Sequence, residues 1–506
     1  MSRLDPDALL ASGGDERLAL DPASGLNIYG YGVVPRPGDL AMGSSTASTI
    51  SAQAREALAA SHAPLMEQVR RDGEEVTYRT EVTRLSGRLH ALLGVDGANA
   101  DVLFSPSGTD LHLLATTLLA GATRSLLTIT LEGSETGSGV VTAAGGRHFM
   151  SQAPDGSRVA KGMPLEEVHQ SLSLPVRDDT GALIPSIEIE RQLDLTIGAA
   201  IRAGRDCLLV TADVTKTGLI APDLDTVFRL KARYGDRLWI MVDACQLRIS
   251  PATIRAYLAR GMMVAITGSK FMGGPIFSGA LLCPPPVARP LSAAMVPAAL
   301  GAYFGQDDVP EGWAMRRHLP RRANLGLLLR WQAALFEWEQ LQALGGDDVA
   351  QTIQSFATAV TRRLTGDAAF EPIATRPLDR GALQVSQPHK IDTTPTIFPF
   401  LLARLDGAGR RAGWLDRDET RLVYDHLASG KVASRSIRLG QPVACGARGG
   451  VPVSALRLCL SARLIVDCCG KADGMERLAE DAMLALDGAA QAARDLAVAT
   501  PLRKSA

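Results

Sequence analysis

Five short aliphatic runs, DVLFSPSGTD, SLLTITLEG, CLLVTADVTKTG, LWIMVDACQ and MMVAITGSK, end in small or polar residues, and each is followed by a helical pattern. That alternation constrains the chain more than any other feature. Strands separated by helices pair mostly in parallel, and such a sheet gathers its chemistry-bearing loops at the strands' carboxyl ends. The expectation is an α/β fold whose functional residues sit just beyond these runs.

At 506 residues the chain exceeds one ordinary core, so two domains and an appendage are expected. The amphipathic run RANLGLLLRWQAALFEWEQLQALGG stops at Gly345–Gly346, as a helix leading out of a large domain would. This gives an extended arm over residues 1–40, a large domain with a connecting helix over 41–345, and a smaller α+β domain over 346–506. In the last, TIFPFLL and ALRLCLSARLIVD read as strands, and an Ala-rich helix begins near Lys471.

With 53 Lys+Arg against 54 Asp+Glu, the formal charge of −1 offers no overall attraction for nucleic acid or an anionic membrane. The first twenty residues carry acids and lack the apolar stretch of a signal peptide. The most apolar later stretch is broken by Pro284, Pro285, Pro286, Arg289, Pro290 and Pro297, so no spanning helix is expected there. These features point to a soluble cytoplasmic protein with a small-molecule substrate. The seven cysteines are scattered, without a C-x-x-C pair, which argues against a disulfide framework and against a bound metal.

Lys270, in TGSKFMGGP, lies between an apolar strand and a glycine-rich turn. The segment is not a nucleotide-binding Walker loop, because Ser269 separates Gly268 from the lysine and Phe271 follows it. Asp243 ends the apolar run LWIMV, where a carboxylate is costly unless a cation pairs with it. Gln246 follows three residues on. SPSGTD is a strand-to-helix turn suited to an anion, with Gly108 and Thr109 as donors, and Thr267 and Ser269 offer two more hydroxyls beside the lysine.

Taken in order, these segments resemble class V of the fold-type-I pyridoxal 5′-phosphate (PLP) enzymes, the aminotransferase class V group that contains cysteine desulfurases, kynureninase and selenocysteine lyase. The resemblance runs from about residue 41 to about 470. GSSTASTISAQA resembles the opening strand and substrate-side loop, FSPSGTDLHLL the phosphate-binding turn, VDACQ the D-x-x-Q signature, and TGSKFMGGPIFSGALL the lysine segment, 27 residues after Asp243. It implies fold type I: a mostly parallel seven-stranded sheet in the large domain and a smaller α+β carboxyl-terminal domain. It also implies PLP as cofactor, held as a Schiff base by Lys270, which then moves the substrate's α-proton. Asp243 would bind the pyridine nitrogen, Gln246 the phenolic oxygen, and Gly108, Thr109, Thr267 and Ser269 the phosphate. Arg457, in ALRLCLSARLIVD, matches the arginine that grips the substrate carboxylate, and a homodimer is the family expectation.

The sequence departs from the pattern where this class stacks a histidine on the cofactor ring. LTITLEGSETGSGV has none, leaving Glu135 or Thr136 as candidates. For a polar partner of the phenolic oxygen, TADVTKTGLIAP offers Asp213, Thr215 and Lys216. The reaction expected is that of a lyase or transferase acting on an α-amino acid after α-deprotonation, with an aminotransferase as the alternative. A cysteine desulfurase using Cys445, twelve residues before Arg457, stands third. A non-catalytic effector domain is disfavoured because no helix-turn-helix precedes the fold.

Overall fold

The computed structural model describes residues 5–499 except 96, 98, 167, 168 and 431–434. Its larger sheet is built from β1 (Asp101–Ser105), β2 (Leu126–Leu131), β3 (Gln170–Leu174), β4 (Asp206–Asp213), β5 (Leu238–Ala244), β6 (Met263–Thr267) and β7 (Gly279–Cys283). They lie in the order β1-β7-β6-β5-β4-β2-β3, and a two-residue strand, Ile220–Ala221, pairs with β4. Six of the seven run the same way; β7 alone is reversed, antiparallel to both β6 and β1. The sequence expectation of a mostly parallel seven-stranded sheet is met by this path.

Each of the five apolar runs supplies a strand because helices cover both sheet faces, so alternation of polar and apolar residues is unnecessary. Successive side chains instead enter two separate cores. Cys207, Leu209, Ile240, Val242, Val264 and Ile266 pack into one. Leu208, Val210, Met241, Met263 and Ala265 pack into the other. This is the twofold strand period expressed in a sheet with no solvent face.

The second sheet centres on β8 (Ile397–Leu405), β9 (Ile437–Arg448) and β10 (Val451–Cys459), with β10 antiparallel to both neighbours. Leu40–Met42 joins it in parallel with β9, so a segment that precedes the large sheet in sequence belongs to the small one. Phe370–Pro372 and Arg411–Trp414 complete it. The helices Arg417–Ala428 and Gly474–Ala499 pack against these strands. The run ALRLCLSARLIVD is not one strand. β10 ends at Cys459, and the Ser461 side chain accepts the Leu464 N–H to start the helix Ala462–Cys468. A short Leu/Ile/Val run fits either state, and here the serine cap decides.

Between the strands of the two sheets in sequence comes the helix Leu325–Gln342, capped by the Asn324 side chain. Buried Arg248 ties the halves together by donating to the Thr396 and Leu460 carbonyls (3.1 and 2.8 Å) and to Ser44 Oγ (2.8 Å). The amino-terminal segment forms a short helix, Pro6–Leu10, and a helical turn, Glu16–Leu18. Arg330 holds it through the carbonyls of Leu10 (3.1 Å) and Ser12 (2.6 Å). Among the described residues no helix is long and apolar enough to cross a membrane.

Candidate active site

A cavity of about 300 Å³ opens where β1, β5 and β6 end and where β9 and β10 face them. Lys270, Asp243, Gly108, Thr109, Thr267, Ser269 and Arg457 all line it, although they come from opposite ends of the chain. Gln246, Glu135 and Thr215 lie outside its lining. Gln246 donates its amide to the Ser45 carbonyl (3.0 Å), leaving its Oε1 without a partner among the described residues.

Lys270 sits on the β6–β7 connection, and its carbonyl accepts from Ser48 Oγ at 2.8 Å. Backbone packing fixes this loop closely: a Cβ on Gly268 would come within 2.3 Å of the Ala334 Cβ, so only glycine lets the loop rest on the connecting helix. Burial lowers the pKa of the Lys270 amine, with Arg457 and Arg248 acting in the same direction and Cys245 and Asp243 opposing. Among the described residues nothing accepts a hydrogen bond from that amine. A desolvated, unpartnered amine is a ready nucleophile.

Asp243 Oδ2 lies 3.1 Å from His112 Nε2, and its Oδ1 accepts the Cys245 N–H at 3.1 Å. Burial alone would raise the pKa of this carboxyl, but the hydrogen bond and charge of His112, with Lys270 beyond, hold it well below the usual range. The carboxylate is thus kept ionised in a place where only a cation would repay its desolvation. His112 comes from the first turns of the helix Gly108–Ala122, one turn after Gly108. Nothing in FSPSGTDLHLL marked it beyond its i+4 spacing from the turn.

The turn before that helix carries Ser107, whose Oγ bonds Asp110 Oδ2 at 2.5 Å, and the first-turn N–H groups have no partner within the helix. A Cβ on Gly108 would fall 2.8 Å from Cys245 Sγ, so glycine here lets the turn close over the end of β5. Arg17, from the amino-terminal segment, also lines the cavity and donates to Ser107 Oγ (3.1 Å) and Thr109 Oγ1 (3.3 Å).

On the opposite wall Arg457 donates to the Gln441 carbonyl (2.6 Å) and Thr46 Oγ1 (3.1 Å), while its Nε has no partner among the described residues. Lys216 lies near it and bonds the Gly133 carbonyl at 2.9 Å. Burial, then the charges of Arg457 and Lys270, push the Lys216 amine down to about 7. The remaining sequence candidates are occupied elsewhere. Glu135 pairs with Arg177 (2.9 Å) and accepts from Thr217 Oγ1 (2.7 Å). Thr136 Oγ1 donates to the Glu132 carbonyl at 3.0 Å, and Thr215 Oγ1 accepts the N–H of Leu219 at 3.1 Å inside its own turn. Asp213 is paired with Arg380 and Tyr257. Cys445 is buried in β9, outside the cavity, and burial pushes its thiol pKa up.

The two sheets, the connecting helix and the strand order define the fold of the fold-type-I PLP enzymes. Among solved structures, the NifS-like protein from Rickettsia africae is similar over 88% of this chain and 99% of its own, at 11% identity and TM-score 0.51. The cystine C-S lyase C-DES, solved with its product cysteine persulfide, is similar over 88% of this chain and 97% of its own, at 13% identity and TM-score 0.52. A lysine-to-alanine variant of C-DES, with glycine covalently linked to its PLP cofactor, matches over 88% and 96% at the same identity and TM-score 0.52. No family model matches the sequence, and no curated protein sequence matches it significantly.

Proposed function

We propose that the cavity binds PLP and that the chain is an enzyme acting at the α-carbon of an amino acid, as a lyase or transferase. The observation that carries this reading is the placement of Lys270 and Asp243 in one cavity: an amine without a hydrogen-bond partner among the described residues and a carboxylate held ionised, beside a strand-to-helix turn suited to an anion. The donor set fits the cofactor. Asp243 would face the protonated pyridine nitrogen, Lys270 would attach covalently to the aldehyde carbon, and the Gly108–Thr109 turn with Thr267 and Ser269 would receive the phosphate.

When bound, PLP supplies an electron sink that stabilises negative charge at the substrate's α-carbon. The chain's own residues select and orient. Arg457, which lines the cavity with its guanidinium plane fixed by Gln441 and Thr46, would bind the substrate carboxylate through its charge and its Nη1 edge. The Lys270 Nζ would take the proton from Cα, and burial, which lowers its pKa, favours the neutral amine that this task needs. His112 keeps Asp243 oriented and anionic throughout.

The deciding experiment is incubation of the PLP-loaded protein with a panel of amino acids in D2O. Exchange of the α-hydrogen without accumulation of pyridoxamine phosphate is expected, whereas clean stoichiometric conversion to pyridoxamine phosphate would replace this reading with an aminotransferase. Failure of the protein to bind PLP at all would end both.

Two variants test individual roles. Arg457→Met should raise the substrate KM about 10–100-fold, the cost of hydrogen bonds to a charged group, and initial rates that saturate at unchanged substrate concentration would count against it. His112→Leu removes the hydrogen bond to Asp243 and should weaken PLP binding by about tenfold or more. A spectroscopic titration that superimposes on the wild type would exclude that role.

A further inference from the structure

We propose that Arg17, carried by the amino-terminal segment, is a direct ligand of the cofactor's phosphate, so that docking of residues 5–18 completes the phosphate site. This rests on the reading that the cavity holds PLP, and it assigns a function to a segment with no counterpart in the class V pattern.

The guanidinium reaches the turn from 90 residues away in sequence, donating to Ser107 Oγ and Thr109 Oγ1. Its side chain is 12% exposed and lies against the faces of Phe149 and Phe277, at 5.4 and 5.1 Å from the ring centroids. Asp15 chelates the other edge, with Nε 2.9 Å from Oδ1 and Nη2 2.6 Å from Oδ2. Burial alone would lower the pKa of Arg17; the Asp15 carboxylate more than reverses that, so the cation is permanent.

Charge balance gives the arginine its purpose. Two carboxyl groups lie beside the guanidinium, Asp15 on its own segment and Asp110 in the first turn of the helix, which burial and then the Asp15 charge push up to about 7; neither lines the cavity. A helix amino terminus offers only about half a positive charge. Arg17 does line the cavity, so it is the guanidinium and not either carboxyl group that would face a phosphate there. Of the lysines and arginines lining the cavity, Arg17, Lys216, Lys270 and Arg457, only Arg17 bonds the turn among the described residues.

The segment is built to deliver it. Asn324 Nδ2 donates to the Gly13 carbonyl at 2.9 Å, Arg330 bonds the Leu10 and Ser12 carbonyls, and Arg55 pairs with Asp7 at 2.6 Å. The fit is close enough that a Cβ on Gly326 would come within 2.4 Å of the Leu9 carbonyl oxygen.

The test compares PLP with pyridoxal, the same ring without its phosphate, in titrations of the full-length apoprotein followed by absorbance. Arg17→Met should weaken PLP about 10–100-fold and change pyridoxal affinity less than about twofold, with Arg17→Lys intermediate. Inorganic phosphate should compete with PLP loading of the wild type and lose that effect in Arg17→Met. Equal losses for both ligands would show a structural role instead, and unchanged PLP affinity would show none; either result overturns the proposal. If Arg17→Met does not fold, the Arg17→Lys ratio between the two ligands decides in the same way. A wild type that binds neither ligand defeats the cofactor reading itself, whereas a PLP-binding wild type matched by Arg17→Met defeats only this inference.

Discussion

Lys270→Ala should abolish covalent retention of PLP and lower turnover by about 10²–10⁴-fold, the range for losing a positioned proton-transfer group. The result is sharpened by a rival in the same cavity. Lys216 is pushed down to about 7, so at mildly alkaline pH it presents a neutral amine. The two lysines differ in surroundings. Lys216 is tethered to the Gly133 carbonyl and faces Arg457, whereas the Lys270 amine has no hydrogen-bond partner among the described residues and lies in the field of Asp243. An aldehyde whose ring nitrogen rested on Asp243 would therefore be presented to Lys270. Borohydride reduction of the PLP-loaded protein, followed by peptide mass analysis, should find the label on Lys270 alone. Label on Lys216, or full turnover by Lys270→Ala, would reassign the attachment site.

How much of this was readable in advance depended on sequence distance. The parallel sheet was legible because strands buried on both faces must be continuous apolar runs, and their carboxyl ends are where side chains of opposite character appear abruptly, as at Asp243 after LWIMV. Lys270, Asp243 and the SPSGTD turn fall at those ends, and all three meet in the cavity. Contacts that depend on how distant segments dock left no trace in the sequence. His112 lies 131 residues from the aspartate it holds, and Arg17 reaches its turn from a segment that reads as an arm. Glu135 and Thr215 looked suitable because polar residues in strand-end loops usually face the site, but each finds a nearer partner, Arg177 for one and its own turn for the other. A single serine, Ser461, divided what composition read as one strand.

Asp213 shows the same limit in a form with a large energetic consequence. As a strand-end carboxylate it resembles Asp243, yet outside the cavity it forms a buried pair with Arg380, the two side chains being 0% and 6% exposed. Arg380 Nε lies 2.8 Å from Oδ2, which also accepts from Tyr257 Oη at 2.7 Å. Arg380→Met would leave that carboxylate buried with one hydroxyl for company, and breaking a buried pair from one side costs about 3–5 kcal/mol. The same loss is expected here, read as a shift of the urea unfolding midpoint. Replacing both partners removes the charge along with its counter-ion, so Asp213→Leu combined with Arg380→Met should recover most of that stability. PLP affinity should be nearly the same in both, since neither residue lines the cavity. A single variant as stable as the wild type would show that the pair does not hold the fold, and loss of the cofactor by the double variant alone would place Asp213 in the cofactor site and collapse the distinction drawn between the two strand-end aspartates.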